Sequence, residues 1–474
     1  MDYLIRFIQM HESFRQLEIE ALAELHQLQF EWLFYSNESP FAIIRFINTE
    51  DPEGAAKSLI SRSILSLAIH ELWGIGTDYP TLHADVRHRT QHLWPQYLHS
   101  TFRFEIDAFH GSHSQASQRA IIESFSYTAF QGAIRMHNPD NQFTVFEDYT
   151  LNTTVPKRVY HGRRVAESGR KAVTKYSLKK RRYIATTSMD AELSLVTANL
   201  TLAAPGKLVY DPFMGTGSFP LACAHFGASV FGSDLDGRSI RGKPDGRNVH
   251  ANFTQYGTSP LYLGGFVADL TNTPVRAAGR GGGRLLDAII CDPPYGVREG
   301  LKVLGSTRAA LQEVVYLSDG TPAHLSQSYV PPKKPYSFVR MLDDVLAFAA
   351  GALVDGGRLC MWMPVAGATA EDEGEEEGGE EYAVPLHPAL ELVGECTQQF
   401  SKWSRRLLTY RRLQDSVIDH DRLSAYQTTR STAQNGTAES KGTADDLNDF
   451  RRKYFQGFRD PTIPRKHERL PHTF

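Results

Sequence analysis

Cysteine is scarce: four residues in a chain of 474, at positions 223, 291, 360 and 396. They lie far apart and match no zinc-site spacing, so a structural zinc centre is excluded. Three of them sit inside apolar runs and read as buried thiols, which suits a reducing compartment. Long apolar runs are missing too; none approaches the roughly 20 residues of a membrane span. The opening MDYLIRFIQMH carries Asp2 and Arg6 within its apolar stretch, so it reads as a short strand and not as a secretory signal. A large net charge is also absent: the formal value is −3, within an ordinary 41% hydrophobic and 22% charged composition. These absences describe a soluble, intracellular protein of two or three domains, with no membrane partner.

The small net charge conceals segregation. Glu371 to Glu381 carries eight acids and no base, and the rest of the chain without it stands at about +5. From Lys157 to Arg182, eleven Lys or Arg stand against one acid, Glu167. Such segregation suits a polyanion partner, with a solvated surface linker as the plainer alternative.

Residues 1–85 mix strands at Tyr3–Ile8 and Phe41–Phe46 with helices at Gln16–Leu28 and Ala55–Leu72, by apolar spacing. Residues 86–156 repeat the mixture, with strands at Thr101–Ile106 and Gln142–Phe146 and a helix at Gln115–Phe130. This half reads as two small α+β units without catalytic spacing, followed by a basic linker at 157–182. From Tyr183 to about residue 425, short apolar strands alternate with helices, the pattern of a Rossmann-like parallel sheet buried on both faces. Its strands are Leu208–Tyr210, Ser229–Gly232, Gly265–Ala268, Ala288–Cys291 and Leu359–Met363. Arg276–Arg284 reads as a flexible loop and 367–381 as a disordered acidic insertion. Residues 426–474 read as a largely disordered tail, within which Phe450–Phe458 is basic and aromatic enough for a docking helix.

The first of these strands runs into Asp211-Pro212-Phe213-Met214-Gly215-Thr216-Gly217 and then a helix, the arrangement that receives the adenosine half of a cofactor. Glycine lets backbone approach a ligand closely. The third glycine of the pyrophosphate-binding pattern is missing, which argues against NAD or FAD and for S-adenosyl-L-methionine. Nineteen residues after Gly215 the second strand ends at Asp234, a candidate for the ribose hydroxyls, with Asp236 competing for the same role. Asp269 ends the third strand and is the candidate for the adenine amino group.

The fourth strand ends in Asp292-Pro293-Pro294-Tyr295. By itself this is a rigid turn, because each Pro fixes φ and removes a donor. Beside a cofactor it acquires a chemistry. The exocyclic amine of a base is a poor nucleophile, since its lone pair is delocalised into the ring. Hydrogen bonds from its two protons to the Asp292 carboxylate and the Pro293 carbonyl localise that pair and aim it. Tyr295 offers a face on which an extruded base stacks. No metal is required.

At these motifs the chain resembles the eukaryotic tRNA guanine-10 N2-methyltransferase catalytic subunits. The resemblance rests on Asp211–Gly217, Ala222–Ala228, Gly232–Asp236, Asp292–Glu299, Ser188–Ser194 and the opening Met1–Phe7, and extends over most of residues 1–425. It implies a class I methyltransferase domain preceded by a ferredoxin-like unit (1–85) and a THUMP-like RNA-binding unit (86–156). It also implies N2-methylguanosine in tRNA as product, a small zinc-binding activator subunit as heterodimer partner, and a cytoplasmic location. A tRNA substrate gives the basic residues a role: Lys179, Lys180, Arg181 and Arg182 along the phosphate backbone, and Lys333 and Lys334 on a proline-rigid loop near the base pocket. Arg405 and Arg406 read equally well as surface charges. The residues alone leave open another guanine N2, an adenine N6 in RNA or DNA, and a non-catalytic RNA-binding subunit. The intact Asp292 and Gly215-Thr216-Gly217 weigh against the last.

Overall fold

The computed structural model describes residues 1–277, 283–297, 301–306, 308–311, 313–326, 329–366, 383–401, 403–436, 448, 450 and 451. The acidic insertion at 367–381 lies outside them, as do residues 278–282 of the expected loop and all of the expected docking helix except Phe450 and Arg451. The chain forms two compact units, Met1–Thr174 and Lys175–Phe474.

The first unit is built on one seven-stranded sheet. Its strands are β1 (Tyr3–Phe7), β2 (Gln29–Phe34), β3 (Phe41–Ile47), β4 (Ser66–Gly76), β5 (Phe102–Phe109), β6 (Asn141–Asp148) and β7 (Arg158–Glu167). Their order is β2-β3-β1-β4-β7-β6-β5, and every pair is antiparallel except β5 with β6. The two small units expected from the sequence therefore share a single sheet.

The segment expected as a basic linker supplies the strand between β4 and β6. Its charge run masked a strand buried on both faces from Val159 to Arg163. Val159, Tyr160 and His161 are buried, and Arg163 is also buried, paired with Glu71 at 2.8 Å and Glu53 at 2.6 Å. A cation that is desolvated and paired in this way is part of the fold, not a surface charge.

The helix expected at Ala55–Leu72 is another correction. A helix at Pro52–Ile60, capped by the Asp51 carboxylate on the Gly54 amide, stops at Ser61, and β4 begins at Ser66. A buried carboxylate sets that stop: Glu18 accepts the amides of Ile64 (2.9 Å) and Leu65 (3.0 Å) and the Ser63 hydroxyl (2.9 Å). Apolar spacing cannot register a partner 45 residues away. β4 is buried on both faces along most of its length, so its run lacks the period that marks a strand.

The second unit contains β8 (Leu208–Asp211), β9 (Ser229–Asp234), β10 (Tyr262–Val267), β11 (Leu286–Cys291), β12 (Lys302–Leu304), β13 (Lys333–Pro335), β14 (Leu353–Ala366), β15 (Leu390–Gln399) and β16 (Trp403–Arg412). Seven of these form a sheet in the order β10-β9-β8-β11-β14-β16-β15. The first five run parallel, and β16 lies antiparallel to both its neighbours. This is a Rossmann-like sheet. The chain leaves β8 toward β9 on one side and returns to β11 on the other, and ligands seat at such a switch point, beyond the strands' carboxyl ends. β12 and β13 form a separate antiparallel hairpin.

The tail also differs from expectation. A helix at His420–Gly436 covers part of the segment expected to be disordered. It docks by charge, which low apolar content conceals: Arg430 pairs with Asp343 and Asp344, and the Tyr426 hydroxyl bonds Asp343. Among the described residues, no helix is long and apolar enough to cross a membrane.

The turn at Ser61–Leu65 depends on Glu18. Glu18→Ala leaves two buried amides without an acceptor, at a cost of about 1–3 kcal/mol each. Hydrogen exchange should show β4 losing protection of that order, with Glu18→Gln intermediate. Wild-type protection of β4 in Glu18→Ala would contradict this account of the turn.

Candidate active site

Four parallel strands bring their carboxyl ends to one edge, and each ends at or beside a carboxylate. Asp211, the last residue of β8, is fully buried, and its carboxylate accepts the Phe213 amide at 2.9 Å, folding the loop back. Gly215 follows with φ +52°, a conformation that favours glycine, and its amide donates to Asp234 at 2.9 Å. Thr216 is buried and its hydroxyl meets Ser188 at 2.7 Å. Gly217, with φ +80°, precedes the helix Ser218–His225; a Cβ there would lie 2.9 Å from Val249. Phe213 packs against the sheet's main core.

Asp234 holds the amide of Gly215 on one oxygen and that of Asp236 on the other, the latter at 2.8 Å. Each oxygen keeps a lone pair. Asp236 is half-buried and spent on its neighbour: it takes the Arg238 amide at 3.0 Å and the guanidinium at 2.7–3.0 Å. The two candidates for the ribose are thus distinguished by what they already hold.

Asp269 does not fit the expected role at the adenine amino group. One oxygen takes the amide (2.6 Å) and hydroxyl (2.7 Å) of Thr271, and the other takes the Leu304 amide at 2.8 Å and the Asn272 side chain at 3.4 Å. A carboxylate accepts about four hydrogen bonds, so Asp269 is fully committed to anchoring β12 against the end of β10. Spacing showed where the residue falls and not what it already binds.

Asp292 follows β11 directly. Its Oδ1 is buried and finds no hydrogen-bond partner among the described residues, and the same is true of the Tyr295 hydroxyl. Such orphans are rare in native structures and call for an explanation. Arg405 on β16 brings a guanidinium nitrogen to 4.0 Å from the other oxygen. That guanidinium donates to Gln398 at 2.7 Å and lies 4.6 Å above the centre of the Trp362 ring. Pro293 is buried and Pro294 exposed. The Tyr295 ring meets Trp403 edge-on at 6.0 Å and Phe450 at 6.2 Å.

Burial raises the affinity of these carboxyls for protons. Burial pushes Asp211 well above the usual carboxylate range, helped by the charges of Asp234 and Asp292. Asp234 is also pushed up, by burial first. Burial raises Asp292, and the Arg405 charge opposes it. Tyr295 is driven up by burial and by the charge of Asp292.

The basic residues divide. Lys179, Lys180 and Arg182 are exposed. Arg181 is buried, donating to the Ser218 hydroxyl at 2.7 Å and the Tyr176 carbonyl at 3.4 Å, so it braces the helix after Gly217 and cannot track a phosphate backbone. Lys333 is exposed on β13 and reaches the Leu235 carbonyl at 3.4 Å, which sets the hairpin beside the Asp234 turn; Lys334 is half-buried. In the first unit, a cavity of about 690 Å³ is lined by Arg6, Arg164, Arg170 and Lys171 among others. Arg6 is paired there with Asp107, and Arg164 and Lys171 with Glu167, so much of its positive charge is already neutralised.

Arg405 is the residue whose place at Asp292 sequence reasoning missed, having left it between an RNA contact and a surface charge. The available signal was period-2 alternation: Trp403, Arg405 and Leu407 lie on one face of β16.

Comparison with known proteins now decides the family. Residues 1–170 match the model described as the Tmrp11 THUMP N-terminal domain. The chain is 41% identical over 467 residues to the tRNA (guanine(10)-N(2))-methyltransferase of Saccharomyces cerevisiae, covering 96% of this chain and 99% of that protein. It is 34% identical over 475 residues to tRNA (guanine(10)-N(2))-methyltransferase TRMT11 of Homo sapiens, covering 96% and 95%. The chain belongs to the tRNA (guanine(10)-N(2))-methyltransferase family. The family's THUMP model covers nearly all of the first unit, and its relatives extend through the second, where the Asp211, Asp234 and Asp292 carboxylates meet.

The buried Asp211 yields a stability prediction. Its raised proton affinity means that the fold disfavours the ionised form, so the cost is present at neutral pH and is relieved as pH falls through the folded value. Asp211→Asn keeps an acceptor for Phe213 and removes the charge. The melting temperature at pH 7 should rise by about 2–4 °C per kcal/mol relieved, and the gap to wild type should close in acid. A lower melting temperature at pH 7 would contradict this.

Proposed function

We propose that this chain is the catalytic subunit of a tRNA guanine-10 N2-methyltransferase and that S-adenosyl-L-methionine is its methyl donor. The observation that carries the reading is the unpartnered Oδ1 of Asp292, at the fourth strand end of a site whose first and second strand ends, at Asp211 and Asp234, suit that cofactor. Three carboxyls that resist ionisation together favour a ligand bearing positive charge, as a sulfonium with an α-ammonium does. Gly215 leaves open space where a Cβ would stand, apart from the Phe213 carbonyl at 3.9 Å. Asp211, Phe213, Gly215, Thr216 and Gly217 would hold the cofactor, with Asp234 on the ribose hydroxyls. Asp236 and Asp269 shape the site from behind. When bound, the cofactor supplies an electrophilic methyl group.

The chain's own residues position the nucleophile. Asp292 Oδ1 accepts one proton of the guanine amine and the Pro293 carbonyl the other, which localises the nitrogen lone pair and directs it. Arg405 holds the Asp292 charge against its burial. Tyr295, packed edge-on against Trp403 and Phe450, presents a surface for the extruded base.

The THUMP-containing first unit and the exposed Lys179, Lys180, Arg182 and Lys333 support a tRNA substrate, with Lys334 beside them. The resemblance adds a small zinc-binding activator subunit and a cytoplasmic location. In support of a partner, β10 is the sheet's edge strand and leaves Leu263 (61%) and Val267 (52%) exposed.

Nucleoside mass spectrometry tests the reading. Unmodified tRNA incubated with the chain, the activator and isotope-labelled cofactor should yield labelled N2-methylguanosine at position 10. Label in adenosine, or no label with the partner present, would contradict it. Replacing Lys179, Lys180 and Arg182 with Glu should weaken tRNA binding and reduce the salt slope by up to about one unit per lost phosphate contact. An unchanged slope would remove these residues from the RNA surface.

A further inference from the structure

Asn448, Phe450 and Arg451 lie far from the catalytic motifs in sequence and against them in space. The Asn448 side-chain amide donates to the Tyr295 carbonyl at 2.9 Å, across 153 residues. Its Oδ1 accepts the Arg451 amide at 3.0 Å, so both ends of the side chain are engaged. The Arg451 guanidinium donates to the Val297 carbonyl at 3.0 Å and also to the Gly296 carbonyl. Asn448 is 4% exposed and Phe450 fully buried. The Phe450 ring stands 6.2 Å from Tyr295 and 5.9 Å from Trp403.

The turn is shaped to receive this segment. Gly296 has φ +77°, and a Cβ there would lie 2.5 Å from the Asn448 amide nitrogen. Three successive carbonyls, of Tyr295, Gly296 and Val297, point at donors from the tail. Carbonyls just after a catalytic turn need partners to remain fixed.

We infer that Asn448, Phe450 and Arg451 are positioning residues that lock the Asp292–Val297 turn and hold Asp292 and Tyr295 in their working geometry. The inference rests on the reading of Asp292 as the group that receives the substrate amine. On this account Asn448, Phe450 and Arg451 are a structural part of the catalytic pocket. They act through the turn.

The test uses the full chain with its activator, acting on tRNA at saturating cofactor. Asn448→Ala and Phe450→Leu should each lower kcat by about tenfold to a hundredfold, the scale set by small misplacement of reacting groups. Cofactor affinity should stay at its wild-type value, since neither residue belongs to the Gly215 loop, and any fall in melting temperature should leave the protein folded at the assay temperature. Asn448→Gln, which retains the amide, should recover part of the loss. Wild-type kcat in both variants overturns the inference, as does a kcat loss that only follows a fall in melting temperature. Hydrogen exchange of the 293–297 backbone provides a readout independent of activity: it should quicken in Asn448→Ala. Wild-type exchange there overturns the inference whether or not tRNA is methylated. Quickened exchange in a chain inactive on tRNA would keep the clamp and reject the functional reading beneath it.

Discussion

The desolvation of carboxylates at one sheet edge organises the second unit's site. A parallel sheet directs the ends of β8, β9 and β11 to one edge, and Asp211, Asp234 and Asp292 occupy it. The fold resists their ionisation, as their raised proton affinities show. Much of the surrounding architecture keeps that charge in place. Backbone amides of Phe213, Gly215 and Asp236 are turned inward to stabilise two of the carboxylates, which dictates the conformation of the glycine loop. The third has a single guanidinium at 4.0 Å and one oxygen left open. Natural proteins retain such locally unfavourable arrangements where binding or chemistry requires them.

That constraint explains what could be read in advance. The strand ends, the loop and the Asp292 turn are local patterns of a few residues each, and a parallel sheet converts local pattern into spatial convergence without further information. What failed to show was each feature set by a hydrogen-bond partner that spacing does not specify. Glu18 ends a helix 45 residues downstream in the first unit. Arg181, in an unbroken basic run, is drawn inward by Ser218. Asp269 falls where a cofactor ligand belongs and is consumed by Thr271 and Leu304. In each case residue type and spacing were right for one role, and a hydrogen-bond partner assigned another.

Charge was the least legible property. The basic stretch before the second unit looked like a single polycation and resolves into three parts. A central strand carries one deeply paired arginine, Arg163; a short turn exposes Lys179, Lys180 and Arg182; and Arg181 is a buried brace. The same misreading in reverse affected the tail, where a polar segment taken as disordered forms a helix through Gly436, held by Arg430 and Tyr426 on Asp343 and Asp344. Charged residues follow their partners more than their neighbours in sequence.

The central claim is that the open oxygen of Asp292 exists to receive a base amine. Single-turnover methyl transfer to tRNA by Asp292→Asn, measured beside equilibrium binding of S-adenosyl-L-methionine, tests it most directly. The carboxamide is nearly isosteric and removes the charge, so transfer should fall by about 10²-fold or more while cofactor affinity changes little. Transfer at the wild-type rate, or a loss wholly accounted for by failure to bind the cofactor, would contradict it.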